Sequence, residues 1–129
     1  MTGYSPYQQY QQNAVLSAPP EQWTLMLYNG ALRFIKQAVE ATEKKDVAAA
    51  HQAIVRAQDI ISYLRETLRD GFAVSESLNS LYGYLLRRLV EANLRKDPAV
   101  LLEAAGLLEE LKEAWETAIL SLGRSAANG

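Results

Sequence analysis

The side chains of this chain that could do chemistry are few, and their spacing does not build a catalytic or metal site. The 129 residues include one histidine and no cysteine, which excludes thiolate catalysis, disulfides and Cys-ligated metals. A di-iron site in a helical bundle needs two Glu-x-x-His motifs, which one histidine cannot supply. His51 lies among alanines, so we interpret it as a surface histidine rather than a ligand or general base.

Carboxylates are the other group suited to acid-base work, and several cluster near the carboxyl end. At helical spacing they fall on one outward face, which is typical of a solvated surface rather than a catalytic pair. Arg87 and Arg88 could bind an acidic partner, although pairing with acidic neighbours is favoured. No glycine-rich phosphate loop or haem attachment motif is found, so we expect no cofactor, no metal and no catalytic residue. The carboxylates are Glu103, Glu109, Glu110, Glu113 and Glu116.

Charge and composition restrict the class of partner and the compartment. A net charge of −2 and a pI near 5.4 argue against a surface that tracks phosphates, so nucleic acid is not expected as a partner. The amino terminus lacks the basic start and apolar run of a signal peptide, and no stretch approaches the ~20 apolar residues of a membrane span. We predict a cytosolic protein that is not an integral membrane protein.

Prolines, glycines and charged residues divide the chain into four amphipathic helices. Pro20 suits the start of the first helix, Asp46 the cap of the second, and Asp97-Pro98 the start of the fourth. The predicted helix ends are Lys44-Lys45, Asp70-Gly71, Arg95-Lys96 and Gly123. Connections of about two to four residues make sequential helices antiparallel neighbours. The sequence therefore predicts an all-α fold, an antiparallel up-down-up-down four-helix bundle with a short N-terminal arm.

Apolar residues at alternating steps of three and four predict the core faces of the last three helices. We expect residues 1–16 to form a Tyr/Gln-rich arm, 17–123 the bundle and 124–129 a flexible tail. The predicted core faces are Val47, Ala50, Ile54, Ala57, Ile61, Leu64 and Leu68 on the second helix, Val74, Leu78, Leu81, Leu85 and Ala92, with Leu89 beside them, on the third, and Leu101, Ala104, Leu108, Leu111, Trp115, Ala118 and Leu122 on the fourth.

The first helix has more apolar surface than one core face uses. A helix that is wet on one side should be polar there, so we predict that the second of its two apolar ridges contacts a partner protein. The first ridge is Leu25, Tyr28, Leu32, Ile35 and Val39, and the second is Trp23, Leu27, Ala31, Phe34 and Ala38.

Tyrosines precede the first helix and recur within the second and third. Tyr4, Tyr7 and Tyr10 are three residues apart in the Gln-rich arm. That arm is either a disordered tail or a segment that docks its rings on the bundle. Tyrosines at positions 63, 82 and 84 suit a bundle edge or a peptide groove, because the ring can be buried while the hydroxyl reaches a polar partner.

Three segments of the sequence resemble the FliS family, the flagellar export chaperones of flagellin. They are YQQYQQNAVLSAPPEQWTLMLYNGALRFI, AQDIISYLRETL and SLNSLYGYLLRRLVEANLRKD. The resemblance implies a bundle that binds the carboxyl-terminal segment of flagellin, prevents its polymerisation and escorts it to the flagellar type III export apparatus, without catalysis. It also implies that the amino-terminal arm occupies part of the groove until flagellin displaces it. Whether the flagellar export gate and a flagellar regulator also bind is left open.

Within the matching segments we expect apolar and aromatic residues to form the flagellin groove, with Tyr82 exposed in it. Two other interpretations stay open: a self-associating helical adaptor without flagellin specificity, and a bundle that binds a small molecule in a dry pocket of Tyr and Trp. The predicted partner-binding residues are Tyr7, Tyr10, Leu27, Tyr28, Ile61, Leu64, Leu81, Tyr82, Tyr84 and Leu85.

Overall fold

The computed structural model describes the backbone of residues 20–69, 71 and 73–128, and the side chains of residues 22–69 and 73–121. These residues form four α-helices: α1 (Pro20–Glu43), α2 (Val47–Glu66), α3 (Ala73–Arg95) and α4 (Pro98–Asn128). No strand occurs among the described residues. The predicted arm, 1–16, lies outside them. None of the described helices combines the length and apolar character needed to cross a membrane.

The four helices pack in a ring. α1 contacts α2 and α4, and α3 contacts the same two helices. Because each connection is short, helix direction alternates around the ring, which confirms the all-α up-down-up-down bundle. The α1–α2 and α3–α4 turns lie at one end, which we name the closed end. The α2–α3 connection, the start of α1 and the last part of α4 lie at the opposite, open end.

Both turns at the closed end place a lysine in the left-handed backbone region. The φ angles are 61° at Lys45 and 51° at Lys96. In each turn the backbone N–H of the residue after the lysine donates a hydrogen bond to a carbonyl five residues earlier. The N–H of Asp46 donates to Ala41 at 2.8 Å, and that of residue 97 donates to residue 92 at 3.3 Å. This is the six-to-one bond of a Schellman motif, in which glycine usually occupies the left-handed position.

The aspartates after these lysines cap the next helices. Asp46 Oδ1 accepts the N–H of Ala49 at 3.1 Å, and Asp97 Oδ1 accepts the N–H of Ala99 at 2.9 Å. Each carboxylate therefore satisfies a backbone donor that the first turn of a helix leaves without a partner. The caps predicted at both positions are confirmed.

Replacing Lys45 with glycine is expected to stabilise the bundle. A side chain in the left-handed region costs about 1–2 kcal/mol, which exceeds the ~0.4–1 kcal/mol of extra chain entropy that glycine brings to the unfolded state. Urea unfolding of Lys45→Gly should show a free energy of unfolding raised by up to about 1 kcal/mol. In the control, Lys44→Gly, the replaced residue lies in the same turn but not in the left-handed region, so glycine only adds entropy to the unfolded state and should lower stability. Equal losses in both variants would contradict the argument.

Two predicted helix ends differ from the structure. α2 ends at Glu66, before the predicted Asp70-Gly71, with Thr67 as its C-cap residue, and the Thr67 hydroxyl donates to the carbonyl of Leu64 at 3.1 Å in the last turn. α4 continues past the predicted end at Gly123 to Asn128. One glycine costs a helix only about 1 kcal/mol, and the alanines that follow it favour helix.

The prediction that the second ridge of α1 contacts a partner protein is wrong for its later part, which comprises Ala31, Phe34 and Ala38. Ala31 and Ala38 on that ridge are completely buried, and Phe34 packs against the same core. The Phe34 ring also lies 5.8 Å from the guanidinium carbon of Arg56 on α2. Because α1 packs against two neighbours, it needs an apolar flank toward each of them.

The buried core contains the central residues of each predicted core face but not all of the residues at its ends. Val47 and Val74, predicted as core, are exposed at the first turns of α2 and α3, where no neighbouring helix covers them. Leu89, predicted to lie beside the core face of α3, is completely buried. The large fully buried side chains are Tyr28, Ile35, Ile54, Ile61, Tyr82, Leu85, Leu89, Leu101 and Leu108.

Candidate functional site

A cavity of about 430 Å³ lies at the open end of the bundle, between all four helices. We name it the open-end cavity. Aromatic rings and aliphatic side chains dominate its wall, and none of the described residues that line it is a carboxylate. Its lining residues are Trp23, Thr24, Leu27, Tyr28, Tyr63, Leu64, Thr67, Leu68, Arg69, Leu78, Tyr82 and Trp115.

A tyrosine pair adjoins this cavity and joins two helices that are not neighbours. The hydroxyl oxygens of Tyr28 on α1 and Tyr82 on α3 are 2.6 Å apart, and each residue is 2% exposed. Burial raises the pKa of both phenols. The shared hydrogen bond adds to the rise in pKa at Tyr82 and opposes it at Tyr28. Both side chains therefore stay neutral at physiological pH.

The raised tyrosine pKa values predict a loss of stability at alkaline pH. Above about pH 10 the unfolded chain releases the phenol protons while the folded bundle retains them, so the free energy of unfolding must fall as pH rises. Below that pH the contribution is complete. Chemical unfolding measured between about pH 8 and pH 11 should show the free energy of unfolding begin to fall near pH 10. The double variant Tyr28→Phe with Tyr82→Phe should have a shallower pH slope, and an unchanged slope would contradict the assignment.

Four of the predicted groove residues line the open-end cavity, but most of them are not exposed. Leu27 is half-buried, whereas Tyr28, Leu64 and Tyr82 are almost completely buried. The expectation that Tyr82 is exposed is wrong. Its position on α3 faces the core, and the hydrogen bond shared with Tyr28 lowers the cost of burying its hydroxyl.

The remaining predicted residues do not share one surface. Ile61 and Leu85 are completely buried in the core, and Leu81 is half-buried. Tyr84 is exposed on the α3–α4 surface, away from the cavity. Tyr7 and Tyr10 lie outside the described residues. The burial of Ile61 and Leu85 shows that neither is an exposed contact in this conformation of the bundle.

The α3–α4 surface is a network of charged side chains. Arg88 Nε donates to Glu103 at 2.6 Å, its Nη1 to Glu91 at 2.7 Å, and Tyr84 donates to Glu103 at 3.1 Å. The hydrogen bond from Arg88 lowers the pKa of the Glu103 carboxyl. Arg88 pairs with acidic neighbours, as the sequence favoured. Across the described residues, no group of His, Asp or Glu is arranged to hold a metal ion.

Two outer grooves expose apolar side chains that the sequence interpretation missed. The α2–α3 groove, about 490 Å³, is lined in part by Val55, Val90 and Leu94, and Leu94 is 83% exposed. His51, exposed as predicted, lies beside it with Nδ1 2.8 Å from the Asn93 amide nitrogen. The available signal was the presence of large apolar residues outside the predicted core faces.

The second outer groove lies between α1 and α4 and measures about 560 Å³. Its floor is apolar and includes Leu32 and Leu102, of which Leu102 is 59% exposed. Its rim carries charges of both signs, among them Lys36 and Glu109. An apolar floor with a charged rim suits the binding of an amphipathic helix.

The fold and these surfaces define a four-helix bundle with apolar grooves on two opposite edges. Residues 3–121 match the family model of the flagellar protein FliS, and the chain belongs to the FliS family. The resemblance read from the three sequence segments is thereby confirmed.

Relatives across most of the chain agree with this assignment. The flagellar secretion chaperone FliS of Bacillus subtilis is 42% identical over 117 residues, which cover 91% of this chain and 88% of that protein. The flagellar secretion chaperone FliS of Salmonella typhimurium is 37% identical, with coverage of 81% and 80%. FliSB of Pseudomonas aeruginosa, also a flagellar secretion chaperone, is 35% identical, with coverage of 90% and 94%. Membership in a chaperone family, not an enzyme family, supports an export-chaperone role.

Proposed function

We propose that this protein is a cytosolic export chaperone that binds the carboxyl-terminal segment of flagellin. In this role it prevents premature polymerisation of flagellin and delivers it to the flagellar type III export apparatus. The observation that carries the proposal is family membership across residues 3–121. The relatives named flagellar secretion chaperones support it.

The surface of the bundle suits a client that folds as it binds. An unassembled, helix-prone segment needs long apolar surfaces to cover its own apolar residues and to offset the entropy lost on ordering. The α2–α3 and α1–α4 grooves supply such surfaces on opposite edges of the ring, and the open-end cavity lies at the end between them. Leu94 and Leu102, exposed in the two grooves, are the contacts we propose to add to the predicted set.

The amino-terminal arm is proposed as a competitor for the flagellin surface. If Tyr7 and Tyr10 dock where flagellin binds, the apparent affinity is reduced by the fraction of molecules that are open. A variant without residues 1–16 should then bind flagellin faster or more tightly and aggregate more readily, because apolar surface is left uncovered. Weaker binding would show that the arm contacts the bound flagellin. No change would show that the arm neither competes with flagellin nor contacts it.

Light scattering and titration calorimetry with a peptide of the flagellin carboxyl-terminal segment test the proposal. We expect a one-to-one complex. A dimer that depends on protein concentration and ignores the peptide would favour the self-associating adaptor. Leu94→Lys and Leu102→Glu should each weaken binding about tenfold or more while stability stays within about 0.5 kcal/mol of wild type. The control is Val74→Asp, an exposed change at the start of α3 that should leave binding unaltered.

A further inference from the structure

The open-end cavity contains a buried hydrogen-bond donor with no acceptor. Trp23 is on the α1 wall of the cavity, and its indole Nε1 is buried without a partner. An indole nitrogen can donate but cannot accept. Burial of an unpaired donor costs free energy, and such a group in a folded protein requires an explanation.

The tyrosine pair adjoining the cavity leaves a second donor unused. Two hydroxyl groups carry two protons, but the contact between Tyr28 and Tyr82 uses only one of them. In the part of the chain that the structure describes, neither hydroxyl has another acceptor. One phenol proton is therefore buried and available beside a cavity of about 430 Å³.

Among the described residues in the rest of the cavity wall, the side-chain oxygens are the hydroxyls of Thr24, Tyr63 and Thr67, which can donate as well as accept. No carboxylate is among these described lining residues, Arg69 brings a positive charge to the wall, and the Thr67 hydroxyl already donates to the carbonyl of Leu64. The other lining side chains are mostly aliphatic or aromatic. A complementary occupant is thus an apolar group that carries a hydrogen-bond acceptor. A neutral amide or backbone carbonyl costs far less to bury among these rings than a carboxylate would.

We propose that Trp23 and the Tyr28–Tyr82 pair determine specificity by selecting an apolar residue of the bound flagellin segment that has a carbonyl acceptor beside it. This inference rests on the proposed function and assigns the open-end cavity to that client. The aromatic and aliphatic wall holds the apolar side chain, and the two unpaired donors bind the carbonyl. A segment without an acceptor at that point would leave both donors buried and unpaired, which disfavours it.

The decisive variant is Trp23→Phe, because it removes the N–H and keeps an aromatic ring. Binding of a peptide of the flagellin carboxyl-terminal segment should weaken about five- to fiftyfold, since a buried acceptor on the peptide loses its donor. The melting temperature of the free variant should change little, because the removal of an unpaired donor offsets the smaller buried ring. A loss of affinity without a loss of stability distinguishes a specificity role from a merely structural one.

A double variant and a control complete the experiment. Tyr28→Phe with Tyr82→Phe removes both partners of one hydrogen bond together, so stability should change little while peptide binding weakens. Phe34→Leu also alters an aromatic residue of α1, but away from the cavity, and should leave the affinity within about twofold once the folded fraction is accounted for. If Trp23→Phe fails to fold, the double tyrosine variant decides.

Each outcome has a separate meaning. If the wild-type chain does not bind the peptide, the proposed function fails. If wild type binds and both cavity variants bind equally well, the donors do not select flagellin and this inference is overturned. Tighter binding by Trp23→Phe would also overturn it, because the donors would then hold a competing segment of the chain itself, such as residues 1–19.

Discussion

Tyr82→Glu is expected to prevent the bundle from folding. Tyr82 is 2% exposed and hydrogen-bonded to Tyr28 across the ring. A glutamate there would place a carboxylate in an apolar core and leave the Tyr28 hydroxyl without its partner, at a combined cost above about 4 kcal/mol. Circular dichroism and thermal unfolding should show loss of the cooperative transition.

Tyr63→Glu is the matched control for this variant. Tyr63 lies on α2 at the same open end, but 51% of it is exposed. Its replacement should change the free energy of unfolding by less than about 0.5 kcal/mol. A folded Tyr82→Glu variant with wild-type stability would mean that the tyrosine faces solvent, as the sequence interpretation had it.

Leu108→Ala should lower the free energy of unfolding by about 2–5 kcal/mol. Leu108 is completely buried where α4 meets the core, and truncation leaves a cavity that the surrounding rigid helices cannot fill. Urea unfolding monitored by circular dichroism measures this loss. Peptide binding should decrease only as far as the folded fraction does.

Other leucines of α4 provide a graded comparison. Leu111 is half-buried against the same core, so Leu111→Ala should cost less than Leu108→Ala. Leu102 is exposed, and Leu102→Ala should be close to neutral for stability. A loss at Leu102 as large as that at Leu108 would mean that the register of α4 is rotated from the one observed.

Helix caps and the centres of the core faces could be predicted from sequence because they depend on local chemistry. The carboxylates of Asp46 and Asp97 bind the N–H groups that any helix start leaves open, whatever packs around them. The end of α4 could not be predicted in this way. Gly123 is compatible with an end, but stopping a helix requires a favourable alternative for the chain, and an alanine-rich continuation offers none.

The candidate site was less predictable, because exposure depends on packing among helices. Sequence identified Tyr28 and Tyr82 as residues of interest, yet only the packing of α1 opposite α3 brings their hydroxyls together and buries them. The same limit led to the interpretation of the second ridge of α1 as a partner surface. Periodicity shows that Ala31 and Ala38 lie on one apolar face of α1, but it does not show how many helices pack against α1.

We expect the two ends of the bundle to open with different free energies, because both tight turns lie at the closed end. At the closed end, turns with left-handed lysines and carboxylate caps join α1 to α2 and α3 to α4. The α2–α3 connection lies at the opposite, open end. Separating the helix ends there stretches neither tight turn. Backbone amides near Trp23 and Tyr63 should therefore exchange with deuterium through local fluctuations, while those near Ala50 and Ala92 exchange only when the whole bundle unfolds. Under the proposed function, such local opening would admit a client between the helices while the rest of the bundle stays native.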